Sequence, residues 1–178
     1  MLGTAREPDR ASDLQRCAAV HPLDVTDPDS VRALALALAR EPVDLLINNA
    51  GLVGAGCAAL GDLDYAAWAE RLETDLFGPF RVAEALLPSL RAGLRRQVAT
   101  IAGPAGGIQR ESVRAAIRAA TRSAARVLAW QGFTLVVLQP AAKLPVAANV
   151  QGLRRVLDGL ASAVSGSCLA SDGTPLPW

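Results

Sequence analysis

Short apolar runs alternate with longer amphipathic stretches along the whole chain. The apolar runs are bounded by turn-forming and charged residues, and they predict strands over residues 1–5, 18–23, 43–47, 97–101 and 133–138. The stretches between them predict helices over residues 28–40, 65–94, 111–130 and 150–164. The second of these helices is expected to break near Gly78-Pro79 and Pro88.

This alternation predicts a single α/β domain over residues 1–178, with a parallel sheet covered by helices. The run 43–47 is apolar except for Asp44, which suits a strand buried on both faces. The helix limits carry their own signals. Thr26 or Asp27 can cap the helix that begins at Pro28, and Asn149 can cap the last predicted helix.

Composition narrows the class of protein further. Hydrophobic residues make up 51% of the chain and the net charge is +1, so we expect a folded protein without a basic field for nucleic acid. The chain has no apolar run of about 18 residues and its N-terminus is polar, so we expect no membrane partner and a cytoplasmic location. Three scattered cysteines and one histidine give neither a zinc cluster nor a disulfide framework.

Three sequence patterns occur in a fixed order. Leu23-Asp24-Val25-Thr26-Asp27 follows one predicted strand, and Asn48-Asn49-Ala50-Gly51 ends the next. The chain closes with Asp172-Gly173-Thr174-Pro175-Leu176-Pro177-Trp178. Together these patterns resemble the short-chain dehydrogenase/reductase family, in particular its C-factor-like carbonyl-reductase branch. The resemblance covers nearly the whole chain and implies a Rossmann-like sheet and NAD(P)H-dependent carbonyl reduction as the family reaction.

The resemblance also implies where a cofactor would lie. In open α/β sheets a ligand binds beyond the carboxyl ends of the strands. The family's NADP(H) would have its adenine beside Asp24 and Val25, and its 2′-phosphate near Arg6. The ribose would lie beside Asn49-Ala50-Gly51, although Asn49 could equally be a structural residue at the end of a strand.

The family's first strand, glycine turn and first helix have no counterpart in this sequence. The segment Met1-Leu2-Gly3-Thr4-Ala5-Arg6 resembles the family's second strand instead. The glycine turn holds the cofactor's diphosphate on backbone N–H groups. Gly51, Gly54 and Gly56 have the wrong spacing for that turn. We therefore expect an incomplete sheet with two unpaired edges, unless the sheet rearranges, another chain fills the gap or the true start lies upstream.

The family's four catalytic positions are changed as well. The family reaction uses Asn, Ser, Tyr and Lys, with the tyrosine as the proton donor. Matching the motifs places Asp75, Gly103, Arg110 and Arg114, respectively, at these positions. Arginine stays protonated at neutral pH and cannot donate a proton, and the only tyrosine, Tyr65, lies in another region. We therefore expect a pseudoenzyme in which hydride transfer is weak or absent.

Arginine recurs at every fourth position of one predicted helix. The members of this arginine ladder are Arg110, Arg114, Arg118, Arg122 and Arg126. Steps of four keep neighbouring side chains on one helix face. The ladder is expected to be a solvated face, with a surface for an anion or an acidic partner as the alternative. This helix often packs at a subunit interface in the family, which implies a homo-oligomer.

Two further classes of function stay open. One is a non-catalytic interaction or scaffolding module that uses the sheet edge and the arginine ladder. The other is a repurposed, non-redox enzyme that uses Asp75 with the arginines on an anionic substrate. The sequence does not identify a substrate.

Overall fold

The computed structural model describes residues 1–14, 16–52, 60–103 and 106–177. Its strands follow the predicted order along the chain. They are β1 Leu2–Ala5, β2 Ala19–Pro22, β3 Leu45–Asn48, β4 Gln97–Ile101, β5 Thr134–Gln139 and β6 Cys168–Ala170. The helices are α1 Pro28–Ala37, α2 Tyr65–Arg71, α3 Gly78–Ala85, α4 Leu87–Ala92, α5 Gly107–Leu128 and α6 Val146–Asp158. A π-helical turn, Leu72–Phe77, joins α2 to α3.

The strands form two parallel sheets rather than one. β1 pairs with β2, and β3, β4, β5 and β6 form a second sheet in that order. The predicted α/β fold class with a Rossmann-like parallel sheet is confirmed. Among the described strands, β1 pairs only with β2 and β3 only with β4. β1 and β3 therefore each have one edge without a strand partner in the described part of the chain.

Helices cover the two faces of the larger sheet unequally. One face packs against α1, α3, α4 and α5 through buried residues such as Leu34, Val82 and Leu90. The other face packs mainly against α6, where Leu138 and Leu157 meet. The prediction that β3 is buried on both faces is wrong for Ile47, which is 45% exposed. Its side chain lies at the sheet edge, where neither a neighbouring strand nor a covering helix shields it.

The predicted capping residue is correct for α1 and wrong for α6. Asp27 caps α1 by accepting a hydrogen bond from the Asp29 N–H, and Pro28 is the first helical residue. The expected cap at Asn149 is wrong, because α6 already begins at Val146. The Asn149 amide instead accepts from the Ala141 N–H and donates to the Ala141 carbonyl, which anchors the loop before α6.

One predicted helix boundary is confirmed, and one strand was not predicted. Gly78-Pro79 does mark a helix boundary, because α3 begins there after the π-helical turn. Strand β6 was not predicted, since three residues are too few to show a periodic pattern. No helix in the described part of the chain is long and apolar enough to cross a membrane.

Candidate functional site

The predicted site residues lie where the parallel strands end. Arg6 follows β1, Asp24 follows β2, and Asn49 follows β3 directly. Gly103 lies two residues beyond β4, and Gln139 is the last residue of β5. Because parallel strands point their carboxyl ends to one edge, within each sheet these residues share the edge at which α/β proteins bind ligands.

Asp24 is held in a tight turn on the side that the resemblance assigns to adenine. Its Oδ1 atom accepts hydrogen bonds from the Thr26 backbone N–H at 2.9 Å and from the Thr26 hydroxyl at 2.6 Å. These hydrogen bonds, joined by the attraction of the Arg6 guanidinium, hold the pKa of Asp24 below its ordinary value. Arg6 itself is exposed. The Arg6 charge therefore favours the ionised form of Asp24, but less strongly than the Thr26 hydrogen bonds do.

Val25 is fixed by the helix that follows the π-helical turn. A Cβ atom at Gly78 would lie 2.7 Å from the Val25 Cγ2 atom, so α3 approaches this residue as closely as a glycine permits. The Val25 carbonyl also accepts a hydrogen bond at 2.6 Å from Arg81, whose guanidinium pairs with Glu73. Arg81 is a supporting residue that the sequence patterns did not reveal.

Asp75, at the position of the family's asparagine, supports the loop after β3. It accepts a hydrogen bond from the Leu52 N–H at 2.8 Å and pairs with Arg71 at 3.2 Å. Arg71 in turn donates to the Leu52 carbonyl at 2.8 Å. The Asp75 and Arg71 side chains are only 17% and 13% exposed. The Arg71–Asp75 ion pair therefore holds the backbone of Leu52. The three residues that the resemblance places beside the ribose come just before Leu52 in the chain, and all are exposed: Asn49, Ala50 and Gly51.

Substitutions of Asp75 test its contacts with Leu52 and Arg71. Asp75→Ala is expected to lower the free energy of unfolding by about 3 kcal/mol, because it leaves the Arg71 charge largely buried without its partner. Asp75→Asn keeps an oxygen for the Leu52 N–H and is expected to cost only about 1 kcal/mol. Urea unfolding of both variants measures the two values, and equal losses would contradict the assigned contacts.

Gly103, which the resemblance places at the family's serine position, is exposed. Among the residues that the structure describes, a Cβ atom there would meet no heavy atom within 4 Å. The glycine is therefore not required by packing, and the site simply lacks a hydroxyl at this point. Gly54 and Gly56, the glycines with the wrong spacing for a phosphate turn, lie outside the described residues.

The arginine ladder is not the solvated stripe that its spacing predicted. Arg114 is only 9% exposed and Arg118 is partly buried, whereas Arg122 and Arg126 are exposed. Helix geometry explains the difference, since each step of four residues turns the side chain by about 40°. The ladder thus rotates from the sheet side at Arg114 to the solvent at Arg126.

Arg114, at the family's lysine position, is tied to two neighbours. Its Nη1 atom pairs with the Glu111 carboxylate at 3.0 Å, and its Nη2 atom donates to the Gln139 side-chain oxygen at 2.6 Å. Gln139 is the last residue of β5, and its role as an acceptor becomes visible only when β5 and α5 are placed side by side.

Tyr65, the first residue of α2, lies near a face of α5 other than the one that carries Arg114. The Tyr65 ring is exposed and stacks on Trp68, whose indole N–H donates to the Ser112 hydroxyl at 3.1 Å. Ser112 and Arg114 are two residues apart, which separates their side chains by about 160° around the helix. The lone phenol is therefore near the first turns of α5 but does not face the predicted site.

An apolar cavity of about 440 Å³ lies elsewhere in the fold. It is formed between α3, α4 and α5 over the sheet, and residues such as Phe80, Leu87 and Val127 line it. None of the predicted site residues contributes to its wall. Asn48, the last residue of β3, does line it, so the cavity reaches the end of this strand next to Asn49.

The parallel strands with their polar edge define a Rossmann-like protein, and comparison with known proteins gives the family. Residues 4–173 match a family model described as enoyl-(acyl carrier protein) reductase. The chain belongs to the short-chain dehydrogenase/reductase family. It is 38% identical to the C-signal of Myxococcus xanthus over 167 aligned positions, which include 83% of this chain and 100% of that protein.

Two solved structures share the fold. One is the NADPH-bound carbonyl reductase from chicken fatty liver, with a TM-score of 0.84 and 23% identity. The other is the putative carbonyl reductase Sniffer of Caenorhabditis elegans, with a TM-score of 0.87 and 21% identity. Each comparison covers 99% of this chain and 87% of the other chain. At this level of identity the likeness concerns the fold.

Proposed function

We propose that this chain is a pseudoenzyme of the short-chain dehydrogenase/reductase family that does not transfer hydride. One observation supports the proposal: Arg114 is buried in contacts with Glu111 and Gln139. The resemblance places Arg110 and Arg114 at the positions of the catalytic tyrosine and lysine. A guanidinium does not release a proton at neutral pH, so neither arginine can protonate a carbonyl oxygen. Gly103 offers no hydroxyl to orient a substrate.

The residues present fit only one end of NADP(H). The exposed Arg6 is consistent with an adenosine 2′-phosphate, Asp24 with the adenine, and the exposed Asn49-Ala50-Gly51 with a ribose. The family's glycine turn, which holds the diphosphate on backbone N–H groups, has no match in this sequence. We therefore expect NADP(H) binding to be weak or lost.

Cofactor titration and turnover test the proposal together. NADPH is titrated into the protein while nicotinamide fluorescence is followed, and NADPH oxidation is then measured with an aromatic aldehyde. We expect no saturable change in fluorescence and no oxidation above that of heat-denatured protein. Turnover that disappears in Arg114→Ala would contradict the proposal, because it would make this arginine part of a working site.

An interaction module is the second candidate function. The unpaired edges of β1 and β3 favour it, because a free strand edge offers N–H and C=O groups to an extended segment of a partner. The name of the C-signal, a relative that the chain covers in full, is compatible with a role outside catalysis. Light scattering tests this candidate: a stable oligomer or complex without NADPH binding would support it. A homo-oligomer and a cytoplasmic location remain predictions.

The third possibility, non-redox chemistry with Asp75 as a base, has less support. Both Asp75 oxygens are engaged, one by the Leu52 N–H and the other by Arg71. A carboxylate held in this way is already satisfied and is a poor candidate for removing a proton from a substrate.

A further inference from the structure

Two cationic side chains of α5 meet at one neutral acceptor. The Nη2 atoms of Arg114 and Arg118 each lie 2.6 Å from the Oε1 atom of Gln139. Both guanidiniums are permanently charged, and the amide oxygen that they share carries no charge to separate them. Such a pair places two like charges close together in a site from which solvent is largely excluded.

The charges around this arginine pair do not balance. Arg114 has one carboxylate partner, Glu111, whose side chain is 54% exposed. Arg118 also donates to the Pro177 carbonyl at 3.0 Å and interacts with the Cys168 thiol, and both of these groups are neutral. Among the described contacts, two positive charges therefore face one partly solvated negative charge. Burying an uncompensated cation is strongly unfavourable, so the pair favours the approach of an anion.

Unused hydrogen-bond donors lead to the same conclusion. The Nε atoms of Arg114 and Arg118 are buried and have no hydrogen-bond partner among the described residues. Arg114 as a whole is only 9% exposed, so water does not readily satisfy its donor. Two guanidiniums with spare donors match the several lone pairs of an oxyanion better than the two lone pairs of one amide oxygen.

The Cys168 thiol beside the pair does not supply the missing negative charge. Its burial raises the pKa, which outweighs the opposite effect of Arg118 and Arg114. The thiol is therefore neutral at physiological pH. Asp75, the other nearby acid of the predicted site, is already paired with Arg71.

We propose that Arg114 and Arg118 form a binding site for a small oxyanion, the carboxylate or phosphate group of a ligand that enters at the carboxyl edge of the sheet. The anion takes the place of the Gln139 amide oxygen as the shared acceptor, so that Gln139 acts as a neutral placeholder. Gly103, which would tolerate a Cβ atom without contact, leaves room at the end of the neighbouring strand. This site does not depend on whether the chain transfers hydride.

Thermal unfolding in different anions tests the site in the unmodified protein. Sodium phosphate and sodium acetate are titrated separately, with sodium chloride keeping the ionic strength constant. At about ten times its dissociation constant, a bound anion is expected to raise the unfolding midpoint by about 3–6 °C. A shift with phosphate alone assigns a phosphorylated ligand, and a shift with acetate assigns a carboxylate. No saturable shift with either anion would overturn the proposal.

A substitution of Gln139 tests whether the anion binds between Arg114 and Arg118. Gln139→Glu adds an internal carboxylate between the arginines, so it is expected to raise the midpoint in chloride and to abolish the anion-dependent shift. The matched control is Gln131→Glu, because Gln131 accepts a hydrogen bond from Arg91 at 2.9 Å on the exposed surface. The control is expected to keep the full shift. A Gln139→Glu variant that is not stabilised in chloride, or that still responds to the anion, would also refute the site.

Discussion

Replacing Gly93 by alanine is expected to lower the free energy of unfolding by about 4 kcal/mol and the midpoint by about 8–16 °C. A Cβ atom at Gly93 would lie 2.1 Å from the Val43 carbonyl oxygen, which is backbone and cannot rotate away. The helix end and the segment before β3 would have to separate. That movement breaks the hydrogen bonds from the Val43 N–H to the Ser89 carbonyl and from the Leu94 N–H to the Asp44 carboxylate.

The matched control is the same substitution at the family's serine position. Gly103→Ala places its Cβ atom in open space, so it is expected to change the free energy of unfolding by less than about 0.5 kcal/mol. Chemical denaturation of both variants separates a local clash at Gly93 from a general effect of removing glycine. Similar losses at the two positions would contradict the assigned packing.

Truncating Leu138 is expected to cost about 3 kcal/mol of folding free energy. Leu138 lies on β5, is 0% exposed and packs with Leu157 of α6 and Leu169 of β6. Leu138→Ala removes this apolar contact and leaves a cavity that the surrounding strands fill only partly. The loss is measured by urea unfolding followed by circular dichroism.

Leu94 supplies the comparison for that measurement. It is 94% exposed, so Leu94→Ala makes the same chemical change at the surface and is expected to change stability by less than about 0.5 kcal/mol. A loss of similar size at Leu94 would mean that burial does not distinguish these two leucines.

Elements with strong local signals could be predicted from the sequence. β4 has the predicted limits, and the cap at Asp27 with Pro28 fixes the start of α1. In both cases residues that are neighbours in the sequence determine where the element begins or ends. β6 could not be predicted, because its three residues become a strand only by pairing with β5. Asn149 was misassigned because its partner, Ala141, belongs to a preceding loop rather than to its own helix.

The candidate site placed by the motifs stays a prediction, and most of its contacts had no signal in the sequence. Asp24 follows β2, Asp75 accepts from the Leu52 N–H after β3, and Arg114 donates to the last residue of β5. Spacing could have suggested the Arg71–Asp75 pair, since these residues are one helical turn apart. No local signal could reveal that Gln139 accepts from two arginines, because this contact depends on how α5 crosses the end of β5.

The separation of the strands into a two-stranded and a four-stranded sheet also affects local unfolding. A pair of four-residue strands is marginal on its own, and β1 and β2 lack a hydrogen-bonded link to the larger sheet. We therefore expect β1 and β2 to open more readily than the larger sheet, whereas Leu23 and Val25 stay packed in the core of the domain. The backbone amides of β1 and β2 are expected to exchange with deuterium through local opening, and those of β4 and β5 only when the whole chain unfolds.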